Sequence, residues 1–276
     1  MFYLELDRIK RMSKNEITVS RIAKAIFRRI IHIRHEILWI LPWGFSVKNK
    51  KKLAKYKDIH KGKRCFIIAN GPSLKNVNFE LLKNEFTFGM NRIYLMKEMN
   101  GFKPTYLVCI DRDSQILQFA EEYNQQKGLC FYEWDLKHKF DKKDNFIFIP
   151  SKFSTKFSKN PLEEPFGHGG SVAYTCMQLA FYMGFNEVYI IGKDHSYNAS
   201  EKPAVGIKST GKEENHFIKG YYHKGQNWNM PDYNTEELAY SLARKAYEDD
   251  NKLIMNATEN GRLEVFKRVK FETLFN

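Results

Sequence analysis

Most of the signatures that would announce a mechanism are missing from this 276-residue chain. Only four cysteines occur, Cys65, Cys109, Cys130 and Cys176, and they stand far apart. Without a CxxC pair there is no zinc or dithiol redox motif, and without a dense cysteine pattern there is no disulfide framework. Buried free thiols in a reducing cytoplasm are the expectation. HExxH and GxSxG are absent, which removes the zinc-hydrolase and α/β-hydrolase signatures. GxGxxG and the Gly-Lys-Ser/Thr of a P-loop are also absent. No stretch is long and uncharged enough to span a bilayer, and no signal-peptide cleavage pattern follows the N-terminus. Repeats and low-complexity tracts are lacking.

Negative charge is scarce at one end. Residues 1–63 hold 17 Lys+Arg against 5 Asp+Glu, a net of +12, whereas the other 213 residues hold 28 against 27, a net of +1. The basicity therefore belongs to an N-terminal extension, and a polyanionic partner is to be sought there. Within "ITVSRIAKAIFRRIIHIRHEILWILPWG" the apolar residues fall largely at helical spacing, with Arg21, Lys24, Arg28 and Arg29 away from them. A basic amphipathic helix ended by Trp39, Pro42 and Trp43, followed by Lys48, Lys50, Lys51 and Lys52, suits an anionic membrane surface. The same helix can instead pack on the domain or on a second subunit of a homo-oligomer. Nucleic acid is not expected, because basic and aromatic residues interleave on no recognisable module.

Hydrophobic residues make up 43% and aromatics 15%, enough for a substantial core. The organisation expected is a membrane- or oligomer-contact extension over residues 1–60 and one α/β domain over 61–276. Strand-like runs recur at 65–69, 86–90, 105–110, 129–132, 145–149, 188–192 and 252–255, with helical patterns between several of them. Alternation of this kind predicts a mostly parallel sheet flanked by helices, a modified Rossmann-type fold. Segment 198–234 is polar and crowded with His216, Tyr221, Tyr222, His223 and Trp228, and reads as a lid-like loop over a substrate.

Parallel strands bring their carboxyl ends to one edge, where ligands sit. Four strand ends carry polar residues: Asn70-Gly71-Pro72-Ser73, Asn91, Asp111 with Asp113, and Asp194 with His195. Gly169 and Gly170 precede a helix opened by Ser171, where backbone N–H groups and the helix dipole favour a phosphate. Together these predict a nucleotide site. Asp111, Asp113 and Asp194 are suited to Mg²⁺, although an Asp at a strand end also caps loops or accepts a ribose hydroxyl, and no metal site is assigned. His216, His195 and His168 are the histidines near the predicted crevice.

The stretches "CFIIANGPSLKN", "FTFGMNRIYL", "GFKPTYLVCID", "GGSVAYTCMQLAFYMGFNEVYIIGKDHSY" and "DYNTEELAYSLARKAYE" resemble the domain-of-unknown-function family 115, the 6-hydroxymethylpterin diphosphokinase MptE-like proteins, which include the domain of Maf flagellin glycosyltransferases. The resemblance covers roughly residues 62–270 and leaves the basic extension outside. The chain is also distantly similar to family 42 bacterial sialyltransferases. That likeness implies a CMP-activated acidic sugar as donor, no cofactor, and a surface-glycan, lipid-linked or protein acceptor. The basic N-terminal helix adds the expectation of an enzyme peripheral at the cytoplasmic face of the membrane. It places Asn70, Ser73 and Asn91 on the donor's phosphate and sugar, Gly170 and Ser171 in the nucleotide pocket, and Asp194 at the cytidine or its ribose. His216 matches the histidine that deprotonates the acceptor, and Tyr197, Tyr221 and Tyr222 compete to support the leaving phosphate. His223 is the rival base. The family's other chemistry, ATP- and Mg²⁺-dependent diphosphate transfer to a pterin alcohol, would draw on Asp111, Asp113 and Asp194. A nucleotide-binding scaffold without catalysis is the third reading.

Overall fold

The computed structural model describes residues 33–42, 44–197, 206–212 and 214–275. The chain forms two compact units, Met1–Lys51 and Lys52–Asn276.

In the first unit, residues 33–40 are helical. A second helix, α1 (Gly44–Ala54), begins directly afterwards and runs across the boundary. Ser46 Oγ donates to the Trp39 carbonyl at 2.8 Å, and the Lys50 ammonium lies 5.0 Å from the centre of the Trp39 ring. Trp39 is buried, whereas Ile33, Ile37 and Ile40 are exposed. Their spacing puts them on one side of the helix. The amphipathic pattern read from residue 17 onward lies outside the described residues as far as 32, as does Trp43.

The second unit is built on a seven-stranded sheet. Its members are β1 (Arg64–Ile68), β2 (Phe86–Met90), β3 (Tyr106–Cys109), β4 (Leu129–Glu133), β5 (Phe146–Ile149), β8 (Glu187–Ile191) and β11 (Leu253–Asn256). Two small pairs complete the strands: β6 (Ser151–Lys152) with β7 (Phe166–Gly167), and β9 (Gly206–Lys208) with β10 (Asn227–Asn229). The sheet order is β11-β8-β1-β2-β3-β4-β5, and every neighbouring pair is parallel. Runs such as Cys65–Ile68 and Phe146–Ile149 are buried residue after residue, as a strand covered on both faces requires.

Helices account for that cover. They are α2 (Met96–Asn100), α3 (Leu117–Asn124), α4 (Val172–Tyr182) and α5 (Tyr233–Asp249). All residues of α4 are buried, because it lies between the central strands β1–β3 and α5. A helix apolar all round is stable only in such a place. The four cysteines are free and buried, as expected.

Two local details differ from the sequence reading. The helix expected over 114–123 opens with a wide turn in which the Ile116 N–H reaches back to the Asp111 carbonyl at 2.9 Å. The segment read as an unstructured lid contains the antiparallel hairpin β9–β10; residues 198–205 of that segment lie outside the described residues.

Candidate functional site

The chain lays down β1 to β5 in order, then crosses back to place β8 on the other side of β1. The β1/β8 boundary is therefore the switch point, the place where ligands sit in doubly wound sheets. Pairing continues past the strand ends, with Ala69 N–H to Ile191 O at 2.9 Å and Gly71 N–H to Gly192 O at 2.8 Å. Ser73 then donates twice to Asp194: its N–H to Oδ1 at 3.1 Å and its hydroxyl to Oδ2 at 2.8 Å. Gly71 is where the two turns come closest. A Cβ there would lie 1.8 Å from Asp194 Oδ2 and 2.6 Å from Gly192 O. Ser73, expected on the donor, and Asp194, expected at the cytidine, thus bind each other across the crevice floor.

Asn70 and Asn91 stand at the ends of adjacent strands. The Asn70 side-chain nitrogen donates to Met90 O at 3.1 Å, which fixes the amide's orientation. Its Oδ1 is buried with no partner, and so is Oδ1 of Asn91. Asn91 has φ 51°, a left-handed conformation that asparagine tolerates better than most residues. Folded chains pair nearly all buried polar atoms, so these two unmet acceptors make the ends of β1 and β2 a candidate place for a ligand's donors.

His216 arrives over this edge on the long loop. The N–H of its neighbour Phe217 donates to the Asn70 carbonyl at 2.9 Å. The His216 ring is stacked on Tyr221 with centroids 3.9 Å apart and planes within 1°. Tyr197 meets it edge-on, its hydroxyl 3.5 Å from His216 Nε2, and Tyr222 closes the third side at 5.5 Å. The four aromatic candidates thus form one cluster. His223, the rival base, is exposed outside it. Burial pushes the phenols of Tyr197, Tyr221 and Tyr222 well above their ordinary range, so they stay protonated as donors at neutral pH.

Residues not foreseen from sequence hold the cluster in place. Tyr221 Oη accepts the Arg92 backbone N–H at 3.1 Å, and the Arg92 guanidinium donates to the Tyr221 carbonyl. That guanidinium is buried over the Phe119 ring at 4.0 Å and paired with Glu122 at 3.1 Å. Gln115 donates to Tyr222 Oη while accepting from Tyr123 Oη at 2.9 Å. Both tyrosine oxygens at the site already accept a bond, which leaves their own protons to point elsewhere. The one clue to Arg92 was a charge inside the otherwise apolar turn "NRIYL".

The remaining candidates have local duties. Asp111 caps the wide turn, accepting from Ser114 N–H at 3.0 Å, and burial pushes its carboxyl up to about 6. Ser171 caps α4 by accepting from Ala173 N–H at 3.2 Å. Gly170, at φ 77°, lies under Glu236, where a Cβ would come 3.2 Å from the Glu236 Cγ. Glu236 is buried and pairs with Lys193 at 2.7 Å, and His195 Nδ1 lies 3.6 Å away. Burial works against the charged Lys193, but the Glu236 carboxylate outweighs it and holds the ammonium's pKa up. Burial and Lys193 lower that of His195. Among the described residues no three His, Cys, Asp or Glu side chains gather as a metal-ligand set.

A second polar group lies at the β4 side of the same edge. Ser151 Oγ donates to the buried Glu133 carboxyl and lies 2.9 Å from His168 Nε2. Burial, reinforced by Asp135, pushes Glu133 up to about 8.

A family profile, 6-hydroxymethylpterin diphosphokinase MptE-like, matches residues 45–200. The chain belongs to that family. No curated protein matches it in sequence. Among solved structures it is similar to the Maf glycosyltransferase of Magnetospirillum magneticum AMB-1, at 13% identity and TM-score 0.49 over 86% of this chain and 40% of that one. The chain therefore spans well under half the length of that enzyme. It is also similar to the sialyltransferase CstII of Campylobacter jejuni in complex with the substrate analogue cytidine-5'-monophosphate, at 14% identity and TM-score 0.45 over 76% of this chain and 85% of that one. A CstII complex with a trisaccharide acceptor and CMP gives 18% identity and TM-score 0.44 over 75% and 86%.

The MptE-like match takes in every strand-end candidate from Asn70 to Asp194, and Tyr197 with them. His216, Tyr221, Tyr222 and the hairpin strand β10 fall outside it. The match thus takes in the strand ends and Tyr197 and stops before the loop that carries His216, Tyr221 and Tyr222.

Proposed function

We propose that this chain is an inverting glycosyltransferase that moves an acidic sugar (sialic acid, another nonulosonate or Kdo) from a CMP donor to a glycan or protein acceptor. The observation that carries the reading is the position of His216. It is held among three protonated phenols, and its neighbour Phe217 is bonded to the backbone of Asn70, whose Oδ1 has no partner. His216 removes the acceptor hydroxyl's proton as that oxygen attacks the anomeric carbon from the face opposite the nucleotide, which inverts the centre. CMP leaves carrying its phosphate charge, and the Tyr197, Tyr221 and Tyr222 hydroxyls donate to it. Asn70 Oδ1 and Asn91 Oδ1 accept from the donor's hydroxyl or amide hydrogens. No cofactor enters this scheme.

The reading extends to place. The net charge of +12 over residues 1–63 and the exposed Ile33, Ile37 and Ile40 support attachment to an anionic membrane surface at its cytoplasmic face, where lipid-linked acceptors are met.

The test is a thermal-shift series with CMP, CDP, UDP, GDP, ADP and ATP, each with and without Mg²⁺, followed by a CMP-release assay on the wild type and His216→Ala. A nucleotide at about 100 times its dissociation constant adds about 2.7 kcal/mol, a rise of several degrees for a domain of this size. The expected result is stabilisation by cytidine nucleotides without metal, with His216→Ala binding CMP normally and losing turnover by about 10²–10⁴-fold. Stabilisation by ATP only with Mg²⁺ overturns the proposal in favour of diphosphate transfer using Asp111, Asp113 and Asp194.

A further inference from the structure

Trp228 is 4% exposed, yet its indole Nε1–H meets no acceptor. An indole nitrogen only donates, so nothing but an acceptor atom can satisfy it. Buried donors without partners are rare, because each gives up its bonds to water and gains none in return.

The neighbours locate this orphan. The Trp228 ring stacks on Tyr197, with centroids 5.7 Å apart and planes at 26°, and Tyr197 Oη is the group 3.5 Å from His216 Nε2. Strand β10 is anchored on both sides of the tryptophan. Gln118 exchanges two hydrogen bonds with the Asn227 backbone, at 2.7 and 2.8 Å, and Asn229 donates to Ser114 Oγ at 3.0 Å. The indole is therefore fixed one aromatic ring away from His216.

Two unmet needs of opposite kind then remain around the cluster. On the strand-end side, Asn70 Oδ1 is an acceptor lacking a donor, while on the hairpin side Trp228 Nε1 is a donor lacking an acceptor. A ligand that satisfies both carries hydroxyl or amide hydrogens and an acceptor oxygen, and the bond to the indole is strongest when that oxygen is anionic. A polyhydroxylated acid has that pattern.

We propose that Trp228 Nε1–H donates to the carboxylate of the acidic sugar and thereby selects that sugar class; this rests on the CMP-sugar reading above. In a 2-ulosonic acid the carboxylate is bonded directly to the anomeric carbon, the atom attacked by the oxygen that His216 deprotonates. Trp228 stands one aromatic ring away from His216, close to where the substituents of that carbon would lie. A neutral sugar offers at most a hydroxyl oxygen there, a weaker acceptor than a carboxylate, so the site discriminates against it.

The experiment compares wild type, Trp228→Phe and a variant in which a benzothiophene amino acid replaces Trp228, keeping the bicyclic ring while removing the N–H. Calorimetry measures binding of CMP and of an inert 3-fluoro CMP-sialic acid. The expected result is unchanged CMP affinity and about ten- to hundredfold weaker binding of the CMP-sugar in both variants. In the wild type, the indole ¹H–¹⁵N resonance of Trp228 shifts with the CMP-sugar and stays in place with CMP. Equal losses for both ligands in the benzothiophene variant, or no loss for either, overturn the role of Trp228 while leaving the donor reading intact. A wild type that binds neither ligand overturns the donor reading, and this inference with it.

Discussion

Gly71 shows how much one missing methyl can decide. Its φ of −72° is open to any residue, so backbone freedom is not the reason for glycine here. Space is the reason: the Asp194 carboxylate and the Gly192 carbonyl occupy the volume a Cβ would need. Gly71→Ala is expected to separate the β1 and β8 turns, break both Ser73–Asp194 bonds and destabilise the fold by about 1–3 kcal/mol or more. Urea denaturation of the full chain checks this, and an unchanged midpoint would show that the turns can yield. Sequence reasoning reached Gly71, Ser73 and Asp194 from their residue types and from a family resemblance. It did not foresee that Ser73 and Asp194 bind each other. They are 121 positions apart, and only the crossover that seats β8 against β1 brings them together.

At the scale of elements, the sheet was legible because its strands are unbroken apolar runs. The hairpin β9–β10 was not. Its strands are three residues each, GIK and NWN, with exposed flanking side chains, and their stability comes from ties to Gln118 and Ser114 that no local pattern announces. The same holds for the link that joins β4, β6 and the residue following β7 through Glu133, Ser151 and His168. That link has a pH signature. The folded Glu133 carboxyl, pushed up to about 8 from an ordinary 4.5, keeps its proton where the unfolded chain has released it. Stability is therefore lost as pH rises from about 4.5 to about 8, with a slope of up to about 1.4 kcal/mol per pH unit from this group. Glu133→Gln cannot ionise and still accepts from Ser151. Its melting temperature is expected to fall less steeply than that of the wild type between pH 5 and pH 8, measured in buffers of matched ionic strength. Parallel pH curves for the two proteins would remove Glu133 from the account.

At the scale of the whole molecule, charge and chemistry are segregated along the chain. Residues beyond 63 are nearly neutral, net +1, and contain every candidate site residue, while the first 63 carry net +12. The proposed membrane attachment then makes a two-part prediction. The full chain is expected to sediment with vesicles containing phosphatidylserine, and to be released as salt rises toward the concentration where screening shortens to about 3 Å. Ile37→Asp with Ile40→Asp is expected to weaken sedimentation at low salt by about tenfold or more, because two apolar contacts with the acyl boundary are replaced by charges of the wrong sign. Sedimentation indifferent to both salt and these substitutions, together with a chromatographic dimer that the substitutions dissolve, would assign the isoleucine face to a second subunit.

The strand order has a consequence for how the protein is made. A ribosome delivers β1 to β5 in the order in which they lie side by side, so that half of the sheet can zip up as it emerges. The other edge of β1 must wait for its partner, since Arg64 pairs with Glu187 from much later in the chain. Until then the nascent domain presents the bare edge of an apolar strand, Cys65 to Ile68, to every other growing chain nearby. The later synthesis of β8 closes that edge, and the loop that bears His216 follows it. A half-made chain is therefore sticky and, under the proposed function, still without its base.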